Sequence, residues 1–118
     1  MKRGDIHTVA GGKDYAGKPR PVVIVQDDAF DATASITICA FTTDDTEAPL
    51  FRLRVEPNPR NGLRETCSLM VDKITTVPKS KVSSRIGRLD DRDILRLNQA
   101  MLVFLGLASP RATRQRGI

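Results

Sequence analysis

The chain has 118 residues, 40% hydrophobic and 28% charged, which is enough for one core and too few for two. No run approaches the roughly 18–20 consecutive apolar residues of a membrane span, and the opening Met1-Lys2-Arg3-Gly4-Asp5 lacks the apolar stretch of a signal peptide. A cytoplasmic protein with no membrane segment is expected. The net charge of +5 permits a polyanionic partner without demanding one, because Arg111, Arg114 and Arg116 crowd the acid-free end and leave the body only mildly basic.

In chain order, Asp5 to Val9 reads as a short strand. Ala10 to Pro19 follows as a loop punctuated by Gly11, Gly12, Gly17 and Pro19, and long loops in compact domains are often functional. Pro21 to Val25 is a continuous β-branched run that suits a strand buried on both faces. Ser35 to Phe41 alternates, with Ile36, Ile38 and Ala40 on one face and Thr37 and Cys39 on the other. Phe51 to Val55 alternates as well and sets Arg52 and Arg54 side by side, either as a stripe tracking a nucleic-acid backbone or as a solvated sheet face. Glu56 to Arg64 is a loop with two prolines and an Asn-Gly pair. Thr66 to Val71 and Lys73 to Val77 read as strands, and Ser84 to Arg88 as a further short one.

The one clear helix comes last. Asp90 suits the N-cap, with Asp91 and Asp93 at the positive end of the dipole. Ile94, Leu97, Met101 and Phe104 recur at helical spacing, joined by Leu95, Leu102 and Leu105 in a broad apolar face, and Gly106 is the stop. Several short strands and one terminal helix, with no β–α alternation, exclude a doubly wound sheet. The fold class is mainly β with a C-terminal α-helix, a small, partly closed antiparallel barrel. The domain is placed at residues 1–108, with 109–118 a basic, flexible tail.

Candidate chemistry is sparse. Cys39 and Cys67 sit in apolar strands, and with a lone histidine they fit neither a redox pair nor a zinc site, so no metal and no cofactor is expected. His7 reads as a packed strand residue rather than a catalyst. In Gly17-Lys18-Pro19-Arg20-Pro21 two prolines pin the backbone around Arg20, which is either a pre-positioned phosphate clamp or a surface arginine at a stiff strand entry. Thr42 and Thr43 end a strand, as donors to a phosphate oxygen or as turn residues. Asp14 and Tyr15 lie in the long loop, and Asp72, between two strands, is a base or a turn former.

Taken together, these blocks resemble the MazF/PemK toxin family from about Lys2 to Leu107. Lys2-Arg3-Gly4-Asp5-Ile6 is similar to the family's start, and Gly17-Lys18-Pro19-Arg20-Pro21-Val22-Val23-Ile24-Val25 to its Gly-rich loop running into Arg-Pro and a hydrophobic strand. Cys39-Ala40-Phe41-Thr42-Thr43 resembles the strand that ends in a catalytic hydroxyl. Leu69 to Val77 resembles the acid-containing strand with its Thr-Val turn, and Asp90 to Leu107 the terminal helix.

The resemblance implies a small SH3-like barrel of the CcdB/PemK type, homodimeric, with RNA across the subunit interface. It implies a type II toxin–antitoxin toxin that cuts single-stranded RNA, mRNA in particular, in a sequence-specific, metal-independent reaction. The ribose 2′-hydroxyl attacks the neighbouring phosphate and leaves 2′,3′-cyclic phosphate and 5′-hydroxyl ends. By position, Arg20 and Thr42 take the catalytic roles. Asp14, Tyr15, Lys18, Thr43 and Asp72 remain as base or RNA contacts, Asp14 standing where many relatives have a loop glutamate. A cognate antitoxin binding through an acidic C-terminal segment is the implied partner. The alternative is a CcdB-like gyrase inhibitor without nuclease activity, whose family relies on a terminal Trp-Gly-Ile where this chain has Arg116-Gly117-Ile118.

Overall fold

The β-branched run after Pro21 is buried on both sides, as its lack of alternation implies. Val22 and Ile24 belong to one apolar cluster, Val23 and Val25 to another across the sheet. In the computed structural model, which describes residues 1–10, 18–44, 47–48 and 50–109, this segment is β2 (Arg20–Ile24). The other strands are β1 (Asp5–Val9), β3 (Ser35–Thr42), β4 (Arg52–Val55), β5 (Cys67–Met70), β6 (Thr75–Pro78) and β7 (Val82–Arg88). They form one seven-stranded sheet in the order β4-β5-β3-β2-β1-β7, with β6 also on β3 and every pairing antiparallel.

The pair expected at Thr66–Val71 and Lys73–Val77 is shorter than its apolar pattern suggests. β5 and β6 lie one after the other along the same edge of β3, separated by a single 3₁₀ turn at Val71–Lys73. Asp72 therefore projects from a turn. β7 starts two residues earlier than its sequence suggests, because its exposed polar residues are held by the β1 ladder rather than by burial.

The sheet curls without closing: among the described residues no ladder joins its edge strands β4 and β7. The seam is spanned instead by loop 56–66. The N–H of Arg88 donates to the Arg60 carbonyl at 2.9 Å, and Gly62, at φ +69°, brings its backbone against the Ile86 carbonyl where a Cβ would not fit. Asn61, fully buried, shapes this loop. Its Oδ1 accepts the N–H groups of Asn58 and Leu63, and its Nδ2 donates to the Glu56 carbonyl at 2.8 Å.

The helix α1 (Asp91–Phe104) packs Leu97 and Ala100 into the larger cluster, which also holds Ile6, Phe41, Leu69 and Leu89. Asp90 stands at the N-cap position, but its carboxylate accepts from Asn58 Nδ2 at 3.1 Å and not from a helix N–H, so it ties the helix start to the seam loop. Gly106 ends the helix as expected. At φ +76° it lets the Leu107 N–H reach the Leu102 carbonyl at 2.8 Å while its own N–H reaches that of Val103. The apolar face is only partly used, since Leu95, Leu102 and Leu105 stay exposed. No helix among the described residues is long and apolar enough to cross a membrane.

Candidate active site at the open ends of β2 and β3

The β1–β2–β3 registers decide where Arg20 points. Val9 pairs with Arg20 and Val22 with Ala40. Carrying the second register two residues further sets Arg20 opposite Thr42, on the face that bears Val22 and Ala40. Pro19 and Pro21 hold φ on either side, so the guanidinium leaves the sheet from a stiff strand entry.

Arg20 and Thr42 line the same cavity, of about 810 Å³, at the ends of these strands. That volume is in the range of small-molecule and cofactor sites. Lys18 and Thr43 line it too, and its apolar floor includes Phe41, Leu63 and Ile86. The Thr42 hydroxyl oxygen accepts the Asp44 N–H at 3.1 Å, an arrangement that closes the strand end and leaves the hydroxyl proton directed elsewhere.

Other candidates lie apart. Asp72 is clasped by Arg52, which donates from Nε at 2.8 Å and from Nη2 at 3.1 Å. Hydrogen bonding to that guanidinium, above all, holds the Asp72 carboxyl below the usual carboxylate range. Asp72 is not among the residues that line the Arg20–Thr42 cavity. His7 is buried in β1 with Nδ1 2.9 Å from the Ser83 carbonyl, consistent with a packed strand residue. Asp14 and Tyr15 fall outside the described residues, as do the three arginines of the tail.

Two lining residues carry no signal in the sequence. Arg64 and Glu65 occupy an ordinary polar stretch, yet loop 56–66 folds back across the seam and brings both to the cavity wall. Cys67, at its edge, is a buried thiol pushed up to about 11, first by burial and then by the charge of Glu65. Burial pushes Cys39 up to about 12. Both are free, protonated thiols packed as small hydrophobes. Among the described residues no three His, Cys, Asp or Glu side chains gather as a metal site requires. A second cavity, about 640 Å³, lies at the opposite end of β1, where Asp5 binds Arg85 and Arg88; no hydroxyl side chain lines it.

A family model for PemK-like, MazF-like toxins of type II toxin–antitoxin systems matches residues 2–105. The probable endoribonuclease MazF of Mycolicibacterium smegmatis is 58% identical over 108 residues, 92% of this chain and 99% of that protein. Endoribonuclease EndoA of Bacillus subtilis is 26% identical over 113 residues, 91% and 96% of the two chains. An endoribonuclease solved in complex with its cognate antitoxin, from a mycobacterial species, superposes with a TM-score of 0.75 at 23% identity, covering 93% of this chain and 99% of that one. A chain of the MazE–MazF crystal structure from Deinococcus radiodurans does so with a TM-score of 0.72 at 14% identity, covering 92% and 98%. At these identities the two structures establish a common fold. None of these relatives favours the gyrase-inhibitor alternative. Matched over nearly its whole length by that model, and by a relative that shares more than half its residues, the chain belongs to the PemK-like, MazF-like toxins of type II toxin–antitoxin systems.

Proposed function

We propose that this toxin is an endoribonuclease that cuts single-stranded RNA, mRNA above all, at the cavity shared by Arg20 and Thr42, with no metal ion in the reaction. The observation that carries the reading is the convergence of a pinned guanidinium and a strand-end hydroxyl on one cavity. The ribose 2′-oxygen attacks the adjacent phosphorus, the bond to the 5′-oxygen breaks, and the products are a 2′,3′-cyclic phosphate and a 5′-hydroxyl.

Arg20, always protonated, is a poor base and acts on charge: its fork offsets the negative charge that builds on the phosphorane-like transition state. Thr42 donates its hydroxyl proton to a non-bridging phosphate oxygen. Lys18 and Thr43 contact the neighbouring RNA backbone from the same wall. Asp14 and Tyr15 keep their place as loop groups that act as base or as RNA contacts. Asp72, held by Arg52, supports the sheet edge beside the site rather than taking a proton.

The partner is an antitoxin whose acidic C-terminal segment is drawn to this +5 chain. The exposed Leu95, Leu102 and Leu105 of α1 supply apolar surface suited to a homodimer. RNA is met in the cytoplasm, and the activity belongs there.

Incubating the purified protein with mixed-sequence RNA in EDTA tests the reading. Discrete cuts ending in cyclic phosphate are expected, and end mapping then reads out the motif. RNA left intact, or cleavage that needs an added divalent ion, overturns it.

A further inference from the structure

We infer that Glu65 is the general base of this site, the group that takes the proton from the attacking ribose 2′-hydroxyl. The inference rests on the ribonuclease reading and assigns the proton acceptor that reading leaves open.

The cavity wall narrows the choice. Lys18, Arg20 and Arg64 are cations and have no lone pair to offer at neutral pH. Thr8, Thr42 and Thr43 are neutral hydroxyls, far weaker bases than a carboxylate. The Cys67 thiol, pushed up to about 11, keeps its proton. Asp72 is engaged by Arg52 outside the cavity, and the His7 ring faces the Ser83 carbonyl. Glu65 is the single carboxylate among the described lining residues.

Its placement is also suited to the task. Glu65 sits on a short stretch anchored on both sides by buried residues that line the same cavity, Leu63 before it and Cys67 after it. Upstream, buried Asn61 and the close approach of Gly62 to Ile86 fix the loop against β7. Arg20 and Thr42 enter from β2 and β3, whereas Glu65 enters from the seam loop, so base and phosphate ligands come from different parts of the wall. In the step, the proton moves from the 2′-oxygen to a Glu65 carboxylate oxygen as the 2′-oxygen bonds to phosphorus. The bond to the 5′-oxygen breaks, and that oxygen takes a proton from water in the open cavity.

The test is single-turnover cleavage of an RNA oligonucleotide carrying the mapped cut site, measured across pH for wild type, Glu65→Gln, Glu65→Asp and Asp14→Asn. Glu65→Gln is expected to slow the reaction about 100-fold or more and to flatten the limb on which the rate rises with pH. Glu65→Asp restores part of the rate together with that limb, and Asp14→Asn keeps the limb. The melting temperature of Glu65→Gln stays at the wild-type value, since the residue is exposed. Three results overturn the assignment: a Glu65→Gln rate near wild type, a slowed rate with the limb intact, or loss of the limb in Asp14→Asn alone. A wild-type protein that leaves the oligonucleotide whole removes the ribonuclease reading and this inference with it, whereas active wild type with unimpaired Glu65→Gln removes the inference alone.

Discussion

Arg52 and Asp72 are locked together by two hydrogen bonds, Nε to Oδ1 at 2.8 Å and Nη2 to Oδ2 at 3.1 Å. The pair joins β4 to the 3₁₀ turn between β5 and β6, and the guanidinium also lies 5.9 Å from the Phe51 ring centroid. Side-chain exposures of 13% and 20% place it between a surface pair and a buried one. Arg52 is thereby withdrawn from the Arg52–Arg54 stripe.

The clasp has a pH signature. Asp72 titrates below the usual carboxylate range, chiefly because Arg52 hydrogen-bonds its charged form. A folded-state value depressed in this way contributes stability that is complete above the unfolded value of about 3.9 and is lost as pH falls through the folded one. Asp72→Asn is expected to cost about 1 kcal/mol at pH 7 and to lower Tm by a few degrees. Melts at pH 7 and pH 3 check this: the gap to wild type narrows at pH 3, and a constant gap denies the ion pair its role.

Arg20→Ala is expected to lower the cleavage rate by about two to three orders of magnitude with the fold intact. Arg20→Lys recovers only a part, since an ammonium keeps the charge but not the planar fork. Cleavage assays paired with thermal melts decide; near-wild-type cutting by Arg20→Ala refutes the role.

At Thr42 the hydroxyl is the point at issue. Thr42→Val keeps the shape and β-branching and is expected to cut about tenfold or more slowly, whereas Thr42→Ser stays close to wild type. Equal rates for the two variants would mean that the hydroxyl does nothing.

Arg54 offers a separate reading of the RNA path. Thr42 pairs with Ser68, and Ser68 with Arg54, so the three stand in a row on one face of the sheet. Arg54 is exposed. If RNA runs along this row, Arg54→Ala reduces the slope of log affinity against log salt by about 0.7, the share of one phosphate contact in single-stranded nucleic acid. Titrations of a non-cleavable 2′-deoxy oligonucleotide at several salt concentrations measure it; an unchanged slope takes Arg54 off the path.

Gly62→Ala tests the seam. At φ +69°, with the Ile86 carbonyl where a Cβ would sit, the substitution is expected to cost more than about 1 kcal/mol. Chemical denaturation measures the loss, and a variant as stable as wild type would show that the loop does not hold the seam closed.

Much of this architecture is legible residue by residue. The unbroken run at Val22–Val25 marks a strand buried on both faces, alternation in Ser35–Phe41 sorts its two sides, and Gly106 ends the helix, because each signal depends on nearest neighbours in the chain. The prolines flanking Arg20 likewise announce a pinned guanidinium. What could not be read is set by partners remote in sequence. Asp90 matches a capping residue locally, but its carboxylate is taken by Asn58, 32 residues away. Leu95, Leu102 and Leu105 fit the helical stripe, yet they stay exposed while Leu97 and Ala100 alone of the helix are buried in the core.

The site divides along the same line. That Arg20 stands at a stiff strand entry and Thr42 at a strand end follows from backbone chemistry and hydropathy period, whereas their catalytic roles are what the family resemblance implies. That they face one cavity depends on the register between β2 and β3. That Arg64 and Glu65 join them depends on loop 56–66 folding across an unpaired seam. Packing alone decides such contacts, since a polar loop has no periodicity to show which way its side chains will turn.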